Sequence, residues 1–215
     1  MPERTIEDRL REEYFDLLPE IRRVLWQLET EIRFHTLDIL HSLSPYEQLV
    51  IRSRVKDCES AVRTLRRERE GRTFDPDRPG DYSMRNLPDL AGVRVLVFPR
   101  SRLLEVDDAL RNVFPAWTSK PVKDARGADL APKYFGYCQS VSSRVRGEYQ
   151  VVPMLIGLFW DVEHSALYKA TPSLMGIARS SEGLQLREDV ENALLHFEEA
   201  FERYVQDADQ PPSAT

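Results

Sequence analysis

The chain has 215 residues and a formal net charge of −6, with 41% hydrophobic and 31% charged residues, the balance of a globular chain with a polar surface. Acidity overall excludes a general DNA- or RNA-coating protein, though not a local basic site. No run reaches the roughly 18 apolar residues of a membrane span, and the start MPERTIEDRLREEY lacks an apolar signal core, so a cytoplasmic protein with no membrane partner is expected. Cys58 and Cys138 lie far apart with no CxxC spacing, which reads as two reduced thiols and not as structural zinc.

From Ile6 to Leu43 apolar residues recur at three- and four-residue steps, a helical period. Pro19 is expected to break this helix or to open a second one. Leu49, Val50 and Ile51 predict a short strand, and residues 57–70 a further helix. GRTFDPDRPGDYS, 71–83, is a loop by its Gly, Pro and Asp content. AGVRVLVF, 91–98, is a β-branched strand closed by Pro99. A helix over 101–114 and a strand near Pro121–Asp124 follow. ADLAPKYFGYCQS reads as a loop in which Gly136 permits a turn or a close approach. YCQSVSSRV and YQVVPML are expected to form a hairpin turning near Arg146–Gly147. IGLFWDVEHSALYK and REDVENALLHFEEAFERYV are amphipathic helices, and QDADQPPSAT a disordered tail. The expected fold is α+β: a mixed sheet flanked by helices, with a helical segment at 1–44, a core at 45–205 and a tail at 206–215.

Three clusters bear chemistry. In IRSRVKDCESAVRTLRRERE, helical spacing puts Ser60, Arg63 and Arg67 on one face and Cys58, Val62 and Leu65 on the other, with Arg54 and Lys56 nearby. Guanidinium forks suit a polyphosphate; a plain solvated helix would look similar. Asp89, just before the strand at 91–98, suits either a turn cap or one arm of a metal site. Arg94 within that apolar strand needs a partner or a cleft. Glu148 and Gln150 alternate with Tyr149 and share a strand face, while His164 and Tyr168 share a helix face. No Ser-His-Asp order, HExxH or Walker loop occurs.

Taken in order, SRVKDCES, DLAGVRV, PKYFGY and EYQ…EHSALYK resemble the motifs of the RelA/SpoT-type alarmone, or (p)ppGpp, synthetases, over roughly residues 45–170 and with the family's interval from Gln150 to His164. The resemblance implies a nucleotidyltransferase-like mixed sheet and transfer of pyrophosphate from ATP to the 3′-hydroxyl of GDP or GTP. It implies that Arg54, Lys56, Ser60, Arg63 and Arg67 contact ATP, and that Lys133, Tyr137, Gln150, Arg94 and His164 serve the acceptor, Tyr137 by stacking on its base. Asp89 and Glu148 would hold Mg²⁺, with Glu148 also activating the hydroxyl. Small members of the family also suggest a homo-oligomer and an antitoxin partner.

The chain departs from the pattern on the acceptor side. Phe135 replaces the family's asparagine, Cys138 its arginine and Val141 its histidine, and Val152-Pro153 stands where Arg-Thr is usual. Glu148 follows Tyr137 by only eleven residues, and a one-residue slip in that hairpin would turn Glu148 away from the site. Two alternatives stay open beside the guanosine acceptor: an adenosine nucleotide or tRNA 3′ end, and an inactive nucleotide-binding domain.

Overall fold

A computed structural model describes residues 4–68, 73–124, 127, 129–138, 140–142, 144–165 and 180–208. Helix α1 (Ile6–His35) opens on a capping box between Thr5 and Asp8 and buries Leu10, Tyr14, Leu17, Ile21, Val24, Leu28 and Ile32 as one stripe. Pro19 neither breaks nor starts a helix, contrary to expectation; it sits exposed within α1. An interior proline costs about 3 kcal/mol, whereas each large apolar side chain buried in the stripe contributes about 1.5–3 kcal/mol. The stripe wins.

After α2 (Leu37–Ser42) come strand β1 (Gln48–Val55), helix α3 (Cys58–Glu68), strand β2 (Ala91–Phe98), helix α4 (Leu103–Val113), strands β3 (Thr118–Lys123), β4 (Asp129–Tyr137) and β5 (Arg146–Pro153), and helices α5 (Met154–Glu163) and α6 (Ser181–Ala208). The strands form one mixed sheet in the order β1-β2-β5-β4-β3, with β2 and β5 parallel and the other neighbours antiparallel. Helices α1, α3 and α4 pack around the main core on one face, with Val93, Val95, Tyr149 and Val151. On the other face α5 and α6 cover one end through Leu96, Val152, Ile156, Leu194 and Leu195. The mixed sheet between helical layers agrees with the expected α+β class. Among the described residues no helix is long and apolar enough to cross a membrane.

Three local expectations need correction. PKYFGY is not a loop: it lies within β4, between β3 and β5. The chain does not turn at Arg146–Gly147, which instead begin β5, so the connection runs from 138 to 145. The physical reason is the indole of Trp117. Gly136 and Gly147 face each other across the ladder, and a Cβ on Gly136 would fall 2.3 Å from the Trp117 ring, one on Gly147 3.1 Å from it. The glycines serve close approach, not a bend. Finally, α6 continues to Ala208, so the expected tail is helical at its first residues, and 209–215 lie outside the described residues.

Candidate functional site

Strand alternation brings the polar residues together. On the face that α5 covers only at one end, cross-strand pairing sets two open rows. One runs Arg54–Gly92–Glu148–Phe135–Thr118 and the next Arg52–Arg94–Gln150–Lys133–Lys120. Glu148 and Gln150 therefore share the face expected of them, and no register slip turns Glu148 away.

Asp89 reaches this face from the turn before β2. Its Oδ2 accepts from Lys56 Nζ at 2.6 Å, and the Lys56 side chain is only 11% exposed. Lys56 is itself fixed by its backbone: its N–H donates to Leu90 O at 2.9 Å and its carbonyl accepts from Tyr14 Oη at 2.8 Å. The other oxygen, Asp89 Oδ1, is buried without a hydrogen-bond partner among the described residues. An uncompensated buried oxygen is costly, so Asp89 Oδ1 retains the capacity to accept a further partner.

Glu148 is 6% exposed. Its Oε1 accepts from Gln150 Nε2, and its Oε2 lies 3.9 Å from Lys133 Nζ. Burial pushes its carboxyl above the ordinary range; Lys133 opposes this, and the nearby Asp89 charge adds to it. Gln150 Oε1 accepts from Arg94 Nε at 3.3 Å, and Arg94 Nη1 donates to Asp161 Oδ1 at 2.6 Å. Asp161 Oδ2 accepts from Arg52 at 2.7 Å. One chain of contacts thus crosses the sheet from Arg52 through Asp161, Arg94, Gln150 and Glu148 to Lys133. Burial lowers the pKa of the Arg94 guanidinium, and Asp161 pushes it back up.

Two cavities meet at Glu148. The first, of about 220 Å³, is lined by Arg52, Arg54, Arg94, Gln150 and Asp161 among others. The second, of about 580 Å³, takes in Asp89, Lys120, Lys133, Phe135, Tyr137 and Arg146. Arg54 pairs with Gly92 across the ladder, and its side chain runs past the glycine into the first cavity. Tyr137 is 43% exposed, so its ring is accessible at the second cavity.

The remaining candidates lie further out. Asp57 caps α3 by accepting from the Ser60 N–H at 2.9 Å. Arg63 and Arg67 are exposed on the solvent side of α3, opposite buried Val62 and Leu65, and line neither cavity. His164 is exposed just beyond α5 and lines neither cavity; Tyr168 falls outside the described residues. Cys138 is buried and Val141 packs on the main core, so the polar residues of the resemblance are replaced there by core residues. Arg52, Lys120, Arg146 and Asp161 were not singled out from the sequence. Strand alternation from Arg54 would have found Arg52; the other three depend on pairing between distant segments.

Among the described residues no group of three or more His, Cys, Asp or Glu converges. The donors available to a metal are the carboxylates of Asp89 and Glu148, hard oxygens with one buried oxygen unpartnered. They fit Mg²⁺ held by two protein groups, with phosphate oxygens and water completing its shell.

Neither a protein-family model nor a curated protein sequence matches the chain. Solved structures do. Small alarmone synthetase 1 from Bacillus subtilis bound to its product pppGpp aligns with a TM-score of 0.62 at 16% identity, over 90% of this chain and 96% of that one. The same enzyme bound to AMPCPP gives 0.59 at 17% identity, over 91% and 98%. A GTP pyrophosphokinase family protein from Streptococcus pneumoniae gives 0.56 at 19% identity, over 91% and 96%. The chain has the fold of these small alarmone synthetases along nearly its whole length.

Proposed function

We propose that this protein is an ATP-dependent pyrophosphokinase that moves the β,γ-pyrophosphate of ATP to the 3′-hydroxyl of a nucleotide, with GDP or GTP as the first acceptors to test. The observation that carries the reading is Asp89, which lines a cavity together with Glu148 and has one oxygen held by Lys56 and the other buried with no partner among the described residues. The fold supports it, since two structures that share it hold pppGpp and AMPCPP.

In this reading the first cavity takes the donor. Arg52, Arg54 and Arg94 offer guanidinium groups along its wall, and in-line phosphoryl chemistry depends mainly on such positioning and charge neutralisation. The second cavity takes the acceptor, with Tyr137 as a stacking surface. Glu148, where the cavities meet, receives the proton of the attacking hydroxyl. That oxygen bonds to the β-phosphorus as the bond from the β-phosphorus to the α,β-bridging oxygen breaks and AMP leaves. Gln150 fixes the Glu148 carboxylate, and burial strengthens it as a base. Mg²⁺ held by Asp89 and Glu148 would supply neutralisation of phosphate charge.

Phe135 in the second cavity favours testing acceptors beyond guanosine nucleotides. Purified protein incubated with ATP, Mg²⁺ and each of GDP, GTP, ADP and tRNA should release AMP with at least one of them. Nucleotide binding without AMP release in any mixture would leave a binding domain and refute the enzyme.

A further inference from the structure

Asp161 is an anion among the arginines of the first cavity. By charge alone a carboxylate there would repel the phosphates of a nucleotide, so its presence needs a physical reason. Its place is set by helix α5. Gly157 lies one turn earlier on the same side of that helix, and a Cβ added to it would fall 2.3 Å from the Leu96 side chain on β2. The glycine lets α5 settle close onto the sheet, which brings Asp161 down over β1 and β2. Toward α6, the Trp160 indole donates to Glu191 Oε1 at 2.8 Å, and that oxygen also accepts from Arg187 Nε at 3.2 Å. Helix α5 is thus held between the sheet and α6.

Arg52 and Arg94 stand directly opposite each other across the β1–β2 ladder, a pairing that like charges disfavour. Asp161 gives one oxygen to each: Oδ2 accepts from Arg52 Nη1 at 2.7 Å and Oδ1 from Arg94 Nη1 at 2.6 Å. Arg94 depends on this contact, because its side chain is only 20% exposed and a buried cation stripped of its partner is costly. Its Nε is already taken by Gln150 Oε1, and its Nη1 lies 3.5 Å from Gly157 O. Among the described residues, Arg94 Nη2 and the Nε and Nη2 of Arg52 have no hydrogen-bond partner. Two guanidinium groups on one carboxylate therefore remain net positive and keep donors open.

We propose that Asp161 is a positioning residue for the donor: it clamps Arg52 and Arg94 side by side, so that the N–H groups they keep open meet the triphosphate of ATP together. The clamp rests on the reading of the first cavity as the donor's. Held in this way, the two arginines approach a phosphate without mutual repulsion and without the entropy loss of ordering free side chains. Arg52 gains most, since its side chain is half exposed and has no other ion pair among the described residues.

Calorimetry with AMPCPP and Mg²⁺, with GDP and ADP as controls for the second cavity, tests the sign of the effect. Charge alone predicts that Asp161→Asn binds AMPCPP more tightly. The clamp predicts AMPCPP binding about tenfold weaker and a KM for ATP about tenfold higher, the scale of one charge-assisted contact, with GDP and ADP binding unchanged. Asp161→Glu keeps the carboxylate and should recover part of the loss. Arg52→Gln should weaken AMPCPP binding to a similar degree, and the double variant should be little worse than either single one, because each change undoes the same arrangement. Asp161 is part-exposed, so neither substitution empties the core. A merely structural Asp161 would lower the thermal midpoint and weaken all three nucleotides alike. That result, unchanged or tighter AMPCPP binding in Asp161→Asn, or losses that add in full in the double variant, would overturn the clamp and leave the donor cavity in place. No AMPCPP binding and no AMP release by the intact protein would remove the pyrophosphokinase and the clamp with it.

Discussion

Asp89 has one oxygen free because Lys56 holds the other, and the lysine is fixed through its backbone by Leu90 and Tyr14. Asp89→Asn keeps the shape and removes the charge. AMP release should fall by at least about a hundredfold, the usual scale for losing a transition-state electrostatic contact, with the thermal midpoint little changed; wild-type turnover in that variant would refute the assignment. Glu148 has its pKa raised chiefly by burial, and a base works only when ionised. Activity should therefore fall as pH drops through a value above the ordinary carboxylate pKa, and kcat/KM against pH should show that acid limb in the wild type. Glu148→Gln should remove most of the activity together with the limb. Gly136 is legible from sequence as a close approach but not as an approach to Trp117. Gly136→Ala places a methyl into the indole and should destabilise the fold by about 1–3 kcal/mol, read from a urea midpoint; a neutral result would mean that the ring moves freely.

At the scale of elements, the period of α1 was readable and its continuity was not. Local rules stop a helix at Pro19; burial of one long stripe against the sheet carries it through. The helix–strand–helix order around Arg94 was likewise legible, because β-branched runs and amphipathic spacing are local signals. β4 was missed because Pro132 and Gly136 read as breakers, while its pairing on both sides is a property of distant segments. Helix α6 carries the least expected group. Glu198 is 1% exposed, and neither of its oxygens completes a hydrogen bond of ordinary geometry. Burial raises its pKa from 4.5 to about 7; the Leu155 amide offsets part of this, Glu202 adds to it and Arg100 opposes it. The folded chain thus holds this proton more tightly than the unfolded one. Its stabilising contribution is full below about pH 4.5 and is lost as pH rises to about 7. Glu198→Gln should raise stability by on the order of 2–3 kcal/mol above pH 7 and much less at pH 4.5, measured by denaturant titration at both pH values. An equal effect at the two would refute the buried proton.

At the scale of the molecule, the sheet divides one face between structure and chemistry. Helices α5 and α6 seal the end rich in Leu96 and Val152, and the other end keeps its charged rows open. The cavities share Glu148, so ligands in both would lie on either side of it. Ligands that bind only the folded state raise stability by mass action. AMPCPP with Mg²⁺ at a hundred times its dissociation constant should add about 2.7 kcal/mol, seen as a rise in the thermal midpoint. EDTA should cancel most of that rise while leaving the ligand-free midpoint unchanged. A midpoint indifferent to AMPCPP would argue against a donor cavity.

The sequence by itself determined the α+β class, the buried stripe of α1, the strand at Ala91–Phe98 and the shared face of Glu148 and Gln150, because periodicity and strand alternation are written in neighbouring residues. It also marked Lys56, Asp89 and Tyr137. Only the tertiary structure decided that Asp89 keeps one oxygen unpartnered, that Asp161 lies between Arg52 and Arg94, and that Lys120, Lys133 and Arg146 face one cavity. Those facts depend on the packing of α5 against the sheet and on register between strands up to 56 residues apart, as in Ala91 opposite Gly147. Burial and pairing between such segments are set by the packed core, which no local pattern specifies.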